Sequence, residues 1–431
     1  MRIRKKSAHK VNKKGKRNFQ FSMSEVPLRI KELLSFTPFS DKMINIAMMV
    51  LLAFGTLMIV STSMGDPMGS GGNVNMLSHV ISSLIKQMVF VVISLAAMLF
   101  LNKTFTFRRV YRLRGLLLIG FLLAMIAPLF FPEINGSRAW IPIGSMTIQP
   151  SEFGKPMAYI IMAAAMYRAR KTYKEPDSFI GLLGMPLFLF TFSMVMLLMQ
   201  KDLGTLAITF MIYFVMFLLP DYHILRRFQR LLKVGFTTVL ILGVTLFWVT
   251  DIGSRLLINT PFSHVVTRFE NAKNPYASME RLYGEGYQPA NALYGIADSH
   301  IIGKGIGQSN RKYGYLTQAS SDYIMAVTIE ETGIFGLAIV TIGYMVILYR
   351  LLYYALITEQ LEFKIILSGT AMHLFMHFFL NIGGITSLIP FTGVPLLFIS
   401  YGGSSLLSIC MGIGVAQQCI SHIRISELNE A

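Results

Sequence analysis

The chain reads as an all-α polytopic membrane protein, and three observations predict that class. Of its 431 residues, 53% are hydrophobic and 14% charged, with mean hydropathy +0.55, which is far too apolar for a soluble chain of this length. Apolar runs of roughly 20 residues, the length that crosses a hydrocarbon core of about 30 Å, recur about ten times. The formal charge of +17 is carried by basic residues gathered in alternate connections. That distribution sets membrane topology and argues against nucleic acid as a partner.

Taken in order, the spans start near Met43, Ser78, Leu113, Ser151, Ile180, Leu203, Leu232, Tyr323, Phe363 and Leu396. Residues 1–42 form a basic cytoplasmic tail that includes Arg2, Arg4, Lys5, Lys6, Lys10, Lys13, Lys14, Lys16 and Arg17. Anionic lipid would hold such a tail at roughly 1 kcal/mol per surface-near basic residue, and its Lys/Asn/Gly/Ser content predicts disorder before Ser24. The first apolar run is too long for a cleaved signal, and Ser61-Thr62-Ser63-Met64 offers no small-x-small site. Later basic groups fall at Lys103 to Arg114, Arg168 to Lys174, Arg226 to Lys233, and Arg350 with Lys364. Both termini are therefore expected in the cytoplasm. The expected organisation is spans 1–7 over residues 43–251, one large extracellular loop between spans 7 and 8 over 252–322, spans 8–10 over 323–420, and a short cytoplasmic tail over 421–431. Cys410 and Cys419, nine residues apart on one helix, fall on opposite faces at about 100° per residue and cannot pair.

Polar groups within lipid are costly, with insertion scales near 3 kcal/mol for a centred charge, and so mark candidate sites. Lys86, Glu152, Lys155, Glu330, Glu331, Asn381, Ser400, Tyr401, Ser404 and Ser405 all fall in the outer half of their spans. Glu330 and Glu331 lie roughly 12 Å below Asp322 at 1.5 Å per residue. Together they can line one outward-open polar chamber. The simpler reading is that Glu152 and Lys155 pair at i,i+3 while the serines and glycines let helices approach closely. His373 and His377 share a helical face at a metal-compatible spacing, but no Glu follows the first as in H-E-x-x-H, so they read as packing residues. Gly303-Lys304-Gly305-Ile306-Gly307 lacks the preceding strand of a nucleotide loop and faces outward; its glycines allow a tight turn, and Lys304 is free to meet a substrate phosphate.

Pro395-Leu396-Leu397-Phe398-Ile399-Ser400-Tyr401-Gly402-Gly403-Ser404-Ser405 closely resembles the signature of the SEDS family, the FtsW, RodA and SpoVE proteins of bacterial cell-wall synthesis. Three further blocks agree in order. Asn135-Gly136-Ser137-Arg138-Ala139-Trp140 with Gln149-Pro150-Ser151-Glu152-Phe153 and Lys155 resembles the family's entry to the fourth span, and Gln200 with Asp202-Leu203-Gly204-Thr205 its turn between spans 5 and 6. Gly286-Tyr287-Gln288, Gly303-Lys304-Gly305 and Asp322-Tyr323-Ile324 with Glu330-Glu331 and Gly333 resemble its outer loop and eighth span. The likeness runs from about Met43 to the end. Departures are Lys201 for the usual Pro, Thr317-Gln318 for Pro-Glu, Ser320-Ser321 for His-Thr, and Leu397 for a proline; Gln318 puts any role for a second loop carboxylate in doubt. Gly305-Ile306-Gly307-Gln308-Ser309 followed by Arg311-Lys312-Tyr313, with the basic tail, leans toward the FtsW/SpoVE side of the family.

The resemblance implies a peptidoglycan glycosyltransferase that polymerises lipid II at the outer face of the bacterial cell membrane, with inversion and loss of undecaprenyl pyrophosphate. It implies Asp322 as general base on the acceptor hydroxyl. Lys155 and Arg138, with Lys304 or Lys86, are the candidates to meet pyrophosphate, and a divalent ion, Mg or Mn, is a candidate to share that work. Glu152 and Glu331 are expected to orient the lysine or hold the chamber's shape, Ser400 and Ser404 to line it, and Trp140 to anchor at the interface. The expected partners are lipid II, a class B penicillin-binding protein, and divisome or elongasome proteins. A lipid II flippase and a non-catalytic scaffold of the same machinery are the competing expectations.

Overall fold

The structure, a computed structural model, describes residues 36–65, 75–134, 136–144, 146–172, 178–250, 252–257 and 263–430. The basic tail before residue 36, Asn135 and Asp251 lie outside them. Lipid offers the backbone no hydrogen-bond partners, so apolar runs of this kind must close their bonds internally as helix. Seven long helices come first: α1 (Lys42–Ser63), α2 (Met76–Thr104), α3 (Phe107–Ile126), α4 (Pro150–Thr172), α5 (Phe179–Met199), α6 (Leu203–Leu218) and α7 (Arg226–Val244). A short hairpin, β1 (Ile141–Ile143) with β2 (Met146–Ile148), precedes α4 and pairs Ile141 with Ile148. Four short helices follow α7: α8 (Ile252–Leu257), α9 (Ser263–Lys273), α10 (Met279–Tyr283) and α11 (Tyr287–Asp298). Three long ones close the chain: α12 (Ile324–Ile357), α13 (Leu361–Ile385) and α14 (Gly403–Glu430).

Eight helices among the described residues are long and apolar enough to cross a membrane. The fourth and sixth of the anticipated spans miss that measure for separate reasons: α4 carries Glu152 and Lys155 with several basic residues at its far end, and α6 has only 16 residues. Side chains at the starts fix the helix ends as expected for caps. Asp41 accepts from Ile44 N, Asn75 from Leu77 N, Thr106 from Arg109 N, Ser178 from Gly181 N and Asp202 from Thr205 N.

Burial is uneven, and it identifies the centre of the molecule. The apolar windows of α13 and α14 are 72% and 78% buried, whereas that of α7 has no buried residue. α14 lies along α2, α12 packs on α1 and α13, and α13 touches α4 and α6. Small residues make these contacts close: at Gly369 a Cβ would stand 2.6 Å from the Tyr159 side chain, and at Gly343 2.7 Å from Leu51.

Two segments depart from the sequence expectation. The last span does not begin at Leu396, because residues 386–402 are irregular and the helix starts only at Gly403. Pro390 and Pro395 withhold backbone donors, and Ser387, Gly393 and Phe398 take positive φ (58°, 68° and 67°), so no helix can form through them. α14 then continues to Glu430, so the residues assigned to a short tail after 420 are helical. The eighth span is also broken, at Gly333 (φ 59°, ψ −141°). Ile334 N bonds to Ile301 O across the break (2.9 Å), while Lys304 N and Gly305 N reach Glu330 O and Glu331 O (2.9 Å each). A Cβ on Gly333 would lie 2.6 Å from Gly303 N, and one on Gly303 2.5 Å from Gly333 N. Only two glycines let these backbones meet.

Candidate active site

Asp322 sits on a turn just before α12. Gln318 O accepts from Ser321 N (3.3 Å) and Tyr323 N (3.1 Å), and Ser321 Oγ donates to Gln318 Oε1 (2.9 Å). The irregular segment 386–402 wraps this turn. Tyr401 N donates to Ser320 O (2.9 Å) and Ser400 Oγ to Ser321 O (2.6 Å). Asn381 Nδ2 donates to Asp322 O and to Val394 O, both at 2.9 Å. The Tyr323 ring stacks on Phe391 with centroids 4.3 Å apart. Gly393 faces the carboxylate so closely that a Cβ there would stand 3.3 Å from Asp322 Oδ2.

Enclosure has an electrostatic consequence. Burial pushes the Asp322 carboxyl up to about 7. Removing a charge from water disfavours its ionised form, and no cation among the described residues sits close enough to reverse the effect. A carboxylate that titrates near neutrality is matched to proton abstraction at neutral pH.

A cavity of about 290 Å³ opens beside Tyr323, lined by Arg268, Asn271, Gln288, Tyr323, Ser387 and Phe391 among others. Arg268 is exposed and has no acidic partner among the described residues. Sequence reasoning missed it; the available signal was a guanidinium on α9, within the long polar stretch before α12.

The recognised segments converge from distant parts of the chain. Gln149, just before α4, donates through Nε2 to Asp202 Oδ2 (2.5 Å) and Thr205 Oγ1 (3.2 Å) at the start of α6. Its own N–H reaches Ser404 Oγ (3.4 Å), and Ser408 Oγ donates to Glu152 O (2.7 Å). Gly204 packs on Thr392 and Val394. The first turns of α4, α6 and α14 therefore meet the segment that wraps Asp322.

Below that junction Lys155 is fully buried. Its Nζ lies 2.6 Å from Glu152 Oε1 and 3.0 Å from His377 Nε2. His377 Nδ1 is 2.9 Å from Pro395 O, so that nitrogen donates and Nε2 is left to accept from the ammonium. The pair is thus tied to the wrapping segment. Glu152, His373 and His377 also offer three ligand atoms within 4.8 Å of one another, a set able to coordinate a divalent cation. Both nitrogens of His373 and Glu152 Oε2 have no hydrogen-bond partner. Imidazole donors suit manganese better than magnesium, and the Lys155 ammonium already supplies positive charge to the cluster.

Glu330 and Glu331 form a second buried cluster, directed at the connection that precedes α12. Glu330 receives Lys304 Nζ (2.9 Å), Ser309 Oγ (2.5 Å) and Asn310 N (3.1 Å); Glu331 receives Lys312 Nζ (2.8 Å), Ser61 Oγ (2.7 Å) and Ser309 N (3.3 Å). Lys304 also touches Asp298 (3.4 Å), and the Glu330 contact raises its pKa first of all. Its charge is engaged inside the protein. Arg138 and Lys201 share the exposed Glu133 (3.1 Å each), and Arg138 N bonds Gln200 O (2.9 Å). Trp140 is half-buried at the foot of the hairpin. Lys86, half-buried and without a carboxylate partner among the described residues, lies one turn before Phe90, which abuts Gly403 and sits edge-on to Tyr401 (6.4 Å).

A multi-pass bundle of long apolar helices, with polar segments meeting around the Asp322 turn, defines an integral membrane protein. The chain belongs to the FtsW/RodA/SpoVE family, described as cell cycle proteins, which matches residues 41–424. It is 30% identical over 395 residues to the probable peptidoglycan glycosyltransferase FtsW of Bacillus subtilis, covering 90% of this chain and 92% of that one. It is 29% identical to the peptidoglycan glycosyltransferase RodA of Mycobacterium leprae, covering 86% and 76%. Among solved structures, a chain of a peptidoglycan synthase complex that coordinates polymerisation and crosslinking superposes with TM-score 0.65 at 24% identity, covering 89% of this chain and 98% of that one. The rod shape determining protein RodA of Thermus thermophilus superposes with TM-score 0.54 at 22% identity, covering 88% and 96%. At these identities the two structures speak for the fold alone.

Proposed function

We propose that the protein is a peptidoglycan glycosyltransferase that extends glycan strands from lipid II at the outer face of the cell membrane, with Asp322 as general base. One observation carries the reading: segments far apart in sequence enclose one carboxylate and move its titration to about 7. The Asp322 carboxylate takes the proton from the acceptor hydroxyl as that oxygen attacks the anomeric carbon of the donor. The configuration inverts as the bond to pyrophosphate breaks, and undecaprenyl pyrophosphate departs.

Cations must meet the departing charge. Arg268, on the cavity beside Tyr323, and Lys86 have no carboxylate partner among the described residues, whereas Lys155, Lys304 and Lys312 are already paired with carboxylates. Arg138, half-released by sharing Glu133 with Lys201, is a third. Glu152 and Glu331 hold Lys155 and Lys312; Ser400 and Ser404 bind backbone and so shape the wrapping segment; Trp140 anchors the hairpin. A divalent ion, when bound by Glu152, His373 and His377, would add positive charge behind this segment.

The topology that goes with this reading has ten spans, α1–α7 and α12–α14, with both termini cytoplasmic and residues 252–322 outside. It places Asp322 at the headgroup level where a lipid-linked pyrophosphate lies. A class B penicillin-binding protein is the expected partner, crosslinking the strands as they form.

The test is glycan formation from labelled lipid II by the purified protein with its cognate transpeptidase, wild type against Asp322→Asn at equal folded yield. Loss of a general base predicts a drop of roughly 10²–10⁴. Equal polymerisation by both proteins would overturn the assignment, and transport of lipid II across proteoliposomes without polymer from either would favour a flippase.

A further inference from the structure

A second cavity, of about 460 Å³, lies at the other end of the bundle and plays no part in the site above. It is bounded by Phe105 to Arg109 and Arg112 at the start of α3, Tyr167 of α4, Phe363 of α13, and Gln418, Cys419 and His422 of α14. From Gly403, next to the Asp322 turn, Gln418 is roughly 22 Å away along α14 at 1.5 Å per residue.

Its walls divide by chemistry. The floor is aromatic: Phe107 stacks between Tyr167 (5.1 Å) and Phe363 (5.8 Å), Phe105 meets Phe107 edge-on (5.2 Å), and Phe363 stacks on His422 (6.1 Å). The rim is basic. Arg109 turns its guanidinium back onto Thr104 O, but Arg108 and Arg112 are exposed and have no acidic partner among the described residues. Four residues apart on a helix, those two share a face. In the wall, Gln418 Nε2 contacts His422 Nε2 (3.3 Å), while Gln418 Oε1 is buried with no donor to satisfy it. An orphaned buried acceptor is destabilising, and a ligand hydroxyl would relieve it.

The geometry points to a binding site for the headgroup of an anionic glycerophospholipid of the leaflet at this end, the inner one in the topology proposed above. Paired guanidinium groups suit a phosphodiester better than a lysine cluster does. The aromatic floor suits the glycerol backbone and the first methylenes of the acyl chains, and Gln418 Oε1 suits a hydroxyl on the headgroup. Phosphatidylglycerol combines all three features. A soluble phosphate has no use for the apolar floor, and a zwitterionic choline headgroup would bring a cation among the arginines.

The test uses the purified full-length protein in neutral detergent, titrated with phosphatidylglycerol, phosphatidylcholine or inorganic phosphate while Tm and lipid retained in native mass spectra are measured. Phosphatidylglycerol should raise Tm and be retained, and the other two should not. Arg108→Gln with Arg112→Gln should weaken that binding roughly tenfold or more, given the contribution of each surface-near arginine. Arg226→Gln with Arg227→Gln, which removes the same charge from α7, should leave it unchanged. Gln418→Leu should keep binding but lose the preference for phosphatidylglycerol over phosphatidic acid, which lacks the headgroup hydroxyls. The proposal is overturned by equal weakening in both arginine pairs, by equal protection from inorganic phosphate, or by no preference over phosphatidylcholine. An unchanged preference in Gln418→Leu removes the hydroxyl contact.

Discussion

Two acids show how surroundings decide what a carboxylate does. Asp322 has no cation beside it among the described residues, so burial raises it to about 7; Glu152 is paired with Lys155 at 2.6 Å. General-base catalysis needs the ionised form of Asp322. Polymerisation by wild type should therefore rise with pH through about 7 and level off above it, and the residual rate of Asp322→Asn should lack that step. A flat wild-type profile between pH 6 and 8 would remove Asp322 from the base role. The Lys155 and Glu152 pair makes a different forecast. Lys155→Met strands the buried Glu152 and should cost about 3–5 kcal/mol in thermal unfolding, whereas Lys155→Met with Glu152→Gln should recover much of that loss.

At the scale of elements, the break in α12 sets how the preceding connection meets the bundle. Glu330 and Glu331 turn their side chains to Ser309, Lys304 and Lys312, and the carbonyls of the same two residues receive Lys304 N and Gly305 N. Side chain and backbone thus pin one loop. This works only while Gly333 holds its left-handed φ against Gly303. Gly333→Ala combines a strained dihedral, worth about 1–3 kcal/mol, with a backbone clash, and should lower both Tm and polymerisation. Gly115→Ala in α3, where a Cβ meets nothing within 4 Å, is the control and should be neutral or slightly stabilising. If Gly333→Ala matches that control, the pinned loop does not position Asp322.

Across the whole molecule, the end that holds Asp322 is joined to the opposite end by helices that are clamped there. Asp41, fully buried, takes Arg350 Nη2 (2.5 Å), Tyr354 OH (3.0 Å) and Arg424 Nη2 (3.2 Å), and Gln417 bonds its backbone on both sides (2.7 and 2.9 Å). One residue thereby ties α1, α12 and α14. Burial alone would raise the Asp41 pKa, but the hydrogen bond and charge of Arg350, with the contacts to Ile44 and Tyr354, hold it below the usual value of 3.8. Its folded pKa is depressed, so its stabilisation is present above pH 3.8 and is lost as pH falls through the lower folded value. Asp41→Asn should reduce Tm at neutral pH and flatten the acid-side decline; an unaltered acid limb would mean the clamp carries no stability.

Much of the architecture was legible beforehand because lipid makes helix obligatory wherever an apolar run is long enough. The starts of α4 and α6 were anticipated within a residue or so for that reason, as was the polar stretch before α12. The resemblance picked out Asp322 in the same way, since a motif is a local string. What local strings cannot express is partnership. Lys304 looks like an unoccupied cation in sequence, and only packing paired it with Glu330 and Asp298; the i,i+3 pairing of Lys155 with Glu152 was legible, but its contact with His377 was not. The late start of α14 was likewise hidden, because Leu396 to Ile399 are apolar enough for a helix and yield only to positive φ angles and Ser400 contacts made with a distant turn. The sequence by itself determined a multi-pass helical protein of this family with one acid of interest. Tertiary structure decided which of the described cations remain free, how Lys304 is neutralised, and how closely that acid is enclosed, because each depends on contacts between residues that no local string places together.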